Sequence, residues 1–544
     1  MKKLFLIFFL IPFFTNSAQN LDSLFNEFLR IKGALQFIKP QIATNEAEPI
    51  KCGFRIVNEV KLNYDKFSLQ KKTVLNSELQ RPAADTSFVT PSNKFRIHFK
   101  KTGFDAPQYD LKELAKAADS SYNYEVNILG YPPPPNDFGE GGDDRYDIYI
   151  QNLAGGLYGY TETDKQIGGN TFTAFTVIDN DFDANYYSRG IYGARVTIAH
   201  ELHHAIQIGN YIYRPSDNFY YEITSTAMEE FVYNSINDYY NYMGSYFRNP
   251  DKAFASNSGY NLAIWNLFMR DRFGVDIIKR TWELMKQKRA IEAIAEAIQE
   301  AGSLFKVEFN KFGQWTYFTG YRAVQNKYFE EAANYPLIKP LMVTDFTPPT
   351  STMDIASEAV SNNFLLYNIN TTGSQDVFVS LVSNCDIAGG VNSPVSIIPF
   401  TYTLSLQQFN GGRKIYDGYY SKLESVSSFL FSESNILNNI LINDGQIVSE
   451  EIDFAFPQPF SYSTNAQIFF PASVSGDGTA WLYIYSIDMN LVYSAQKRIV
   501  ATDKIVVGWD ARDENKSKLS TGVYFYVTKS GDKFKKGKFV IYNE

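Results

Sequence analysis

The stretch Thr197-Ile198-Ala199-His200-Glu201-Leu202-His203-His204-Ala205-Ile206-Gln207 sets the reading of the whole chain. It holds no Gly or Pro. Ile198, Leu202, Ala205 and Ile206 recur at helical spacing, which predicts a helix. On that helix His200 and His204 stand one turn apart and project from one face. Two imidazoles so placed can reach one tetrahedral ion at ~2.0–2.1 Å. Glu201, beside the first, can take a proton from a water on the same face. Composition argues against coincidence: the chain has 4 histidines, and His200, His203 and His204 are three of them. At that scarcity, H-E-x-x-H is expected by chance on the order of 10⁻³ times per chain. His203 falls one position short of the ligand face and is expected to pack or to support, not to ligate.

The residues beyond the motif narrow the third ligand. No histidine comes after His204. A metzincin would need Gly at 207 and His at 210, where this chain has Gln207 and Asn210. A carboxylate is then expected, because thiols seldom join two histidines in hydrolytic zinc sites. After a turn around Arg214-Pro215-Ser216-Asp217, a second helix is predicted through Tyr220-Tyr221-Glu222-Ile223-Thr224-Ser225-Thr226-Ala227-Met228-Glu229-Glu230. Glu222 is the first candidate, with Glu229 and Glu230 as alternatives. Glu229 lies two turns along on roughly the same face, which also suits it to hold a ligand histidine from behind.

The 544 residues predict three or four domains of about 100–200 residues each. Hydrophobic content of 44% and charged content of 20% are ordinary for soluble globular material. A net charge of −8 gives no basic field to displace counterions, which argues against nucleic acid as the main partner. Lys2 and Lys3, an apolar run over 4–14 and Asn16-Ser17-Ala18 read as an export leader. That run is shorter than the ~20 residues needed to span a bilayer, and no later run is long enough. Cys52 and Cys385 are too few for a disulfide framework, though they could pair.

Along the chain, Leu21, Leu24, Phe25, Phe28, Leu29 and Ile31 predict an amphipathic helix within 21–40. Strands are expected at 95–99, 147–152 and 173–178, and helices at about 194–209, 219–243, 258–272, 275–288 and 290–301. Beyond 340 short β-type runs take over. The expected plan is a leader at 1–18, an N-terminal segment and candidate propeptide at 19–90, a catalytic domain at 91–340, a β-rich accessory domain at 341–445 and a C-terminal domain at 446–544. Two acidic runs, 140–144 and 179–183, offer calcium ligands without an EF-hand spacing, so solvated turns are preferred.

The metal motif with a glutamate on the next helix resembles the gluzincin metallopeptidases, and within them a family of secreted bacterial metalloproteases. The likeness covers roughly residues 80–330. It runs through Phe95-Arg96-Ile97-His98-Phe99, Tyr146-Asp147-Ile148-Tyr149, Gly159-Tyr160-Thr161 and Val177-Ile178-Asp179-Asn180-Asp181. It continues through the metal motif, Glu222 to Glu229, residues 260–274 and Trp315-Thr316-Tyr317-Phe318-Thr319-Gly320. Ser225 stands where alanine is commoner. The resemblance implies an α+β zincin-like fold, zinc on His200, His204 and Glu222, and Glu201 as general base. It also offers Tyr260 as an oxyanion donor, although in so Tyr-rich a chain a purely structural tyrosine is preferred. A strand carrying Thr173, Phe175 and Val177 would pair with substrate.

The tail carries a second resemblance. Phe456-Pro457-Gln458-Pro459-Phe460, Trp481-Leu482-Tyr483-Ile484-Tyr485, Trp509-Asp510-Ala511-Arg512-Asp513-Glu514-Asn515, residues 520–526 and Gly537-Lys538-Phe539-Val540-Ile541 resemble the type A sorting domain of the type IX secretion system. That implies an immunoglobulin-like sandwich at the C-terminus, after an accessory β-sandwich. It implies export across both membranes to the medium or cell surface, with the secretion machinery as partner. Cys52, in Lys51-Cys52-Gly53, offers a thiolate that could cap zinc from a propeptide. The rest of a cysteine-switch motif is missing, so a structural or paired cysteine is preferred.

The expected function is a secreted zinc endopeptidase. The alternatives are an inactive surface-binding or adhesion protein that keeps the fold, and a hydrolase of non-peptide amides.

Overall fold

The computed structural model describes residues 15–34, 50–346, 350–354, 358–371, 374–392, 400–410, 413–418, 424–426, 428–432, 452–462, 465, 467–473, 479–501, 505–513, 515 and 517–543. Most of the expected leader and the expected boundary near 445 lie outside the described residues. The described chain divides into two compact units. No described helix is long and apolar enough to cross a membrane.

The first unit takes in residues up to Asn241, with 258–266 and 274–287. Its elements are α1 (Thr15–Ile31), α2 (Phe54–Leu62), α3 (Leu69–Glu78), β1 (Thr86–Val89), β2 (Phe95–Phe99), α4 (Leu111–Tyr122), β3 (Tyr146–Gln151), β4 (Gly159–Gly168), β5 (Thr171–Asp179), α5 (Gly190–Asn210) and α6 (Asn218–Val232). The strands form one sheet in the order β1-β2-β3-β5-β4. β2, β3 and β5 run parallel, so a long crossover must join β2 to β3, and α4 lies in it. β4 returns antiparallel to β5 through a short turn.

Parallel central strands are covered on both faces. β5 fits that rule, being buried from Thr173 to Asp179. Phe175 and Val177 enter a core with Phe25, Phe28 and Leu29 of α1 and Val57 and Val60 of α2. Thr176, on the opposite face, meets the α5 side through Thr161. Helices α1 and α2, which lie in the expected N-terminal segment and candidate propeptide, thus make one layer of this unit.

This corrects one expectation. The strand carrying Thr173, Phe175 and Val177 is interior: Val177 pairs with Tyr149 of β3 on one side and Tyr160 of β4 on the other. Its central backbone has no free rim for a substrate. The sheet edge next to α5 is β4.

The second unit takes in 242–257, 267–273 and 288 onward. Residues 288–340, expected from sequence to be part of the catalytic region, belong here. Helix Phe305–Tyr317 packs on strand Ser374–Asn384, with Asn310 Nδ2 donating to Ser383 Oγ at 2.9 Å. That strand sits within a sheet ordered 413–418, 400–410, 374–384, 361–371, 342–346. The tail forms two smaller sheets that share one core. Phe470 and Trp509 of one meet Tyr526 and Phe539 of the other.

Candidate metal centre

α5 is buried on nearly all sides, from Gly193 to Gly209, as a helix between a sheet and two further helices must be. It packs on β5, β4, α4 and α6. α6 antiparallels it after the turn at Pro215–Asp217 and brings Glu222 and Glu229 to its ligand face. Two glycines let the backbone come this close. At Gly159 of β4 a Cβ would fall 2.8 Å from Thr197 Cγ2 and 3.4 Å from Glu201 Cγ. Gly259 has φ +100, and a Cβ there would lie 2.4 Å from Glu222 Cβ.

His200 Nε2, His204 Nε2 and Glu222 Oε2 converge. The two nitrogens are 3.1 Å apart, and the carboxylate oxygen is 3.2 Å from the first and 3.3 Å from the second. Behind them, His200 Nδ1 is 2.8 Å from Glu229 Oε1, and His204 Nδ1 is 2.7 Å from Gln207 Oε1. Both outer partners are oxygen acceptors, so each Nδ1 carries the proton and each Nε2 turns its lone pair inward. Three lone-pair atoms then face one another in a buried space, an arrangement that calls for a cation. A tetrahedral ion with bonds of ~2.0–2.1 Å needs donors roughly 3.3 Å apart, which these donors match. The residues present fit zinc.

Where no cation lies between them, the rings and acids balance one another's charge instead. Burial alone would lower His200, but Glu222 and Glu229 outweigh it and raise the ring to about 9. Burial alone would raise Glu222, but His204 and His200 bring it down to about 2. Glu201 is fully buried and pushed up by that burial, partly offset by the two histidines. Its Oε2 accepts from Thr161 Oγ1 at 2.9 Å, which fixes the carboxylate beside the convergent atoms.

Four consecutive residues, from Lys51 to the start of α2, wrap the centre. Lys51 Nζ lies 2.8 Å from Glu229 Oε2 and 2.6 Å from Asp238 Oδ2, with its side chain 1% exposed. Cys52 Sγ and the three ligand atoms all lie within 4.8 Å of one another. Gly53 N donates to Gly159 O at 2.9 Å. The Phe54 ring stacks on His204 at 4.0 Å, with planes 4° apart. Cys52 and Cys385 are not joined in a disulfide.

Tyr260 stands near, its ring 6.2 Å from that of His200 and its hydroxyl donating to Cys52 O at 3.3 Å. His203 faces away: Nδ1 is 2.9 Å from Glu125 Oε2, and burial holds the ring neutral. Glu230 accepts from Asn234 Nδ2 at 2.8 Å and is not among the clustered ligand candidates. The acidic runs considered for calcium are otherwise engaged. Asp179 accepts from the backbone of Leu153, Asp181 and Phe182; Asp143 pairs with Arg96 and Arg145; Glu140 pairs with Lys165. Among the described residues, Cys52, His200, His204 and Glu222 form the one cluster with metal-ligand spacing.

Sequence reasoning passes over Lys51, Phe54, Thr161 and Asp238. Lys51 and Thr161 stand in stretches read for other reasons, Phe54 and Asp238 in none, and all four come to the centre across long stretches of chain. Sequence alone prefers a structural or paired Cys52 to a cap; the structure places its sulfur in the cluster with His200, His204 and Glu222.

No family model matches the chain, and no curated protein matches it. Among solved structures it is similar to PorZ, a surface component of the type IX secretion system of Porphyromonas gingivalis. Identity there is 12%, over 32% of this chain and 30% of that one, with a TM-score of 0.16. It is also similar to dimeric latent PorU from the same organism, at 12% identity over 36% of this chain and 20% of that one, with a TM-score of 0.14. The chain thus spans under a third of either protein.

Proposed function

We propose that this chain is a secreted zinc endopeptidase. The observation that supports it is the convergence of His200 Nε2, His204 Nε2 and Glu222 Oε2 at 3.1–3.3 Å, with the Glu201 carboxylate alongside. Zinc held there supplies Lewis acidity, lowering the pKa of a water toward roughly 7 and polarising a carbonyl. Glu201 takes the proton of the attacking water and returns it to the leaving amine. Thr161 keeps that carboxylate aimed. Glu229 holds His200 in the tautomer that ligates, and Gln207 does the same for His204. Tyr260 is the proposed donor to the oxyanion. Export to the medium or cell surface by the type IX machinery rests on the C-terminal motifs, and the paired sheets of the tail suit an immunoglobulin-like sandwich.

The test is zinc content together with cleavage of casein. One zinc per chain is expected, with cleavage that a chelator stops. Glu201→Gln should keep its zinc and lose turnover. Folded protein that takes up no zinc, or a Glu201→Gln variant that still cleaves, overturns the proposal.

A further inference from the structure

We propose that residues 50–61 hold the peptidase latent: Cys52 supplies a fourth zinc ligand, and the chain around it occupies the β4 edge where an extended substrate would pair. This rests on the zinc-peptidase reading above and adds its regulation.

Two independent features carry it. The first is the ligand set. Cys52, His200, His204 and Glu222 are all buried, and their donor atoms lie within 4.8 Å of one another. Glu222 Oε1 is buried without a hydrogen-bond partner and belongs to the same cluster. A site with four protein ligands is closed, whereas a hydrolytic zinc site needs one open position. A thiolate at ~2.3 Å from zinc would take that position.

The second feature is the sheet edge. A peptide substrate that adds a strand bonds to free backbone groups along a rim. The outer rim of β4 and its lead-in is already taken. Ile50 N donates to Gly156 O at 3.1 Å, Tyr158 N to Ile50 O at 3.0 Å, and Gly53 N to Gly159 O at 2.9 Å. Cys52 and Gly159 pair in parallel. Where the chain then turns into α2, the Asn58 side chain continues the pattern. Its Nδ2 donates to Thr161 O at 2.9 Å, and its Oδ1 accepts from Thr163 N at 2.9 Å. Lys61 Nζ donates to Thr163 O. One short segment therefore covers both the metal and the rim.

The segment is fixed by contacts that a substrate would not supply. Lys51 sits between Glu229 and Asp238, and Phe54 stacks on His204. The Tyr260 hydroxyl, proposed to serve the oxyanion, is bound to Cys52 O. Withdrawal of the segment would free the fourth position and the rim together and end the Tyr260 hydroxyl's bond to Cys52 O. The thiol loses its proton to solvent on binding the metal and regains one on release.

Cobalt in place of zinc gives the decisive readout on the full chain. Cobalt-loaded protein should show a thiolate-to-cobalt charge-transfer band. The band should be lost in Cys52→Ser and kept in Cys385→Ser. Alkylation of unsubstituted protein gives a check that needs no variant: Cys52 should resist iodoacetamide while metal is bound and react after chelation. A tethered thiol acts at an effective concentration on the order of millimolar, so casein turnover in Cys52→Ser should rise roughly tenfold or more. Cobalt bound without a sulfur band overturns the latency proposal and leaves the peptidase reading standing. Failure to bind cobalt or zinc sinks the peptidase reading itself. A sulfur band without any gain of turnover in Cys52→Ser makes Cys52 a permanent structural ligand and also overturns latency.

Discussion

Glu229 is the residue on which the orientation of His200 turns. It accepts from Nδ1 and so leaves Nε2 free to ligate. Glu229→Gln keeps the shape and removes the charge. It should weaken zinc binding about 10–100-fold, measured by competition with a chromogenic chelator. Unchanged affinity would mean that His200 is held by something else. Gly259 is the other pressure point. Its φ of +100 and the 2.4 Å approach to Glu222 Cβ leave no place for a methyl group. Gly259→Ala should cost at least ~1–3 kcal/mol, read as a lower melting temperature together with lost zinc. A variant as stable as the parent would contradict the close packing. At this scale much is legible in the sequence. His200, Glu201 and His204 announce themselves because helical spacing is local, and Glu222 because it lies one returning helix away. Lys51 cannot be found this way. Its partner Asp238 is 187 positions distant in sequence, and only the pairing of residues 50–53 with β4 brings them together.

Strands and their edges decide where a substrate can go, and here sequence misleads. The run over 173–178 has the apolar texture of a good strand, but texture cannot distinguish interior from edge. The order β1-β2-β3-β5-β4 does, and it puts β5 inside. β4, more polar toward its far end, is marked in the sequence only by three residues of family likeness. Asn58→Ala would leave Thr161 O and Thr163 N of β4 without their side-chain partner, a loss of about 1–3 kcal/mol. It should speed the exposure of Cys52 to alkylating agents. No change in that rate would detach Asn58 from any role in closing the rim. The loop before β3 supplies a pH prediction. Asp143 is brought to about 2 by Arg96, against partial burial and with help from Arg145. A depressed carboxylate stabilises the fold above its ordinary value of about 3.9. That contribution fades as pH falls from about 4 to about 2. Asp143→Asn should be less stable than the parent at neutral pH, and the difference should shrink over that acid interval. A difference independent of pH would refute the ion-pair account.

For the molecule as a whole, the sorting role proposed for the tail can be tested apart from the metal centre. The tail has its own core around Phe470, Trp509, Tyr526 and Phe539. A reporter carrying an export leader and residues 446–544 should reach the medium of cells that possess type IX machinery. It should stay inside cells that lack it; equal release from both would remove the sorting role. Domain boundaries are the least legible part of the sequence. Residues 19–90 have no strong motif, yet α1 and α2 supply half of a core. The helical texture of 288–340 continues that of the region before it, although these residues pack with the following strands.

Lys51 carries one more consequence. Its ammonium is the buried positive charge between the acids Glu229 and Asp238. If activation withdraws it, two neighbouring anions are left without the ammonium that balanced them, and charge stranded in this way is destabilising. The working enzyme should therefore be the more perishable form: durable in storage, short-lived once armed, with its lifetime limited by the same step that switches it on.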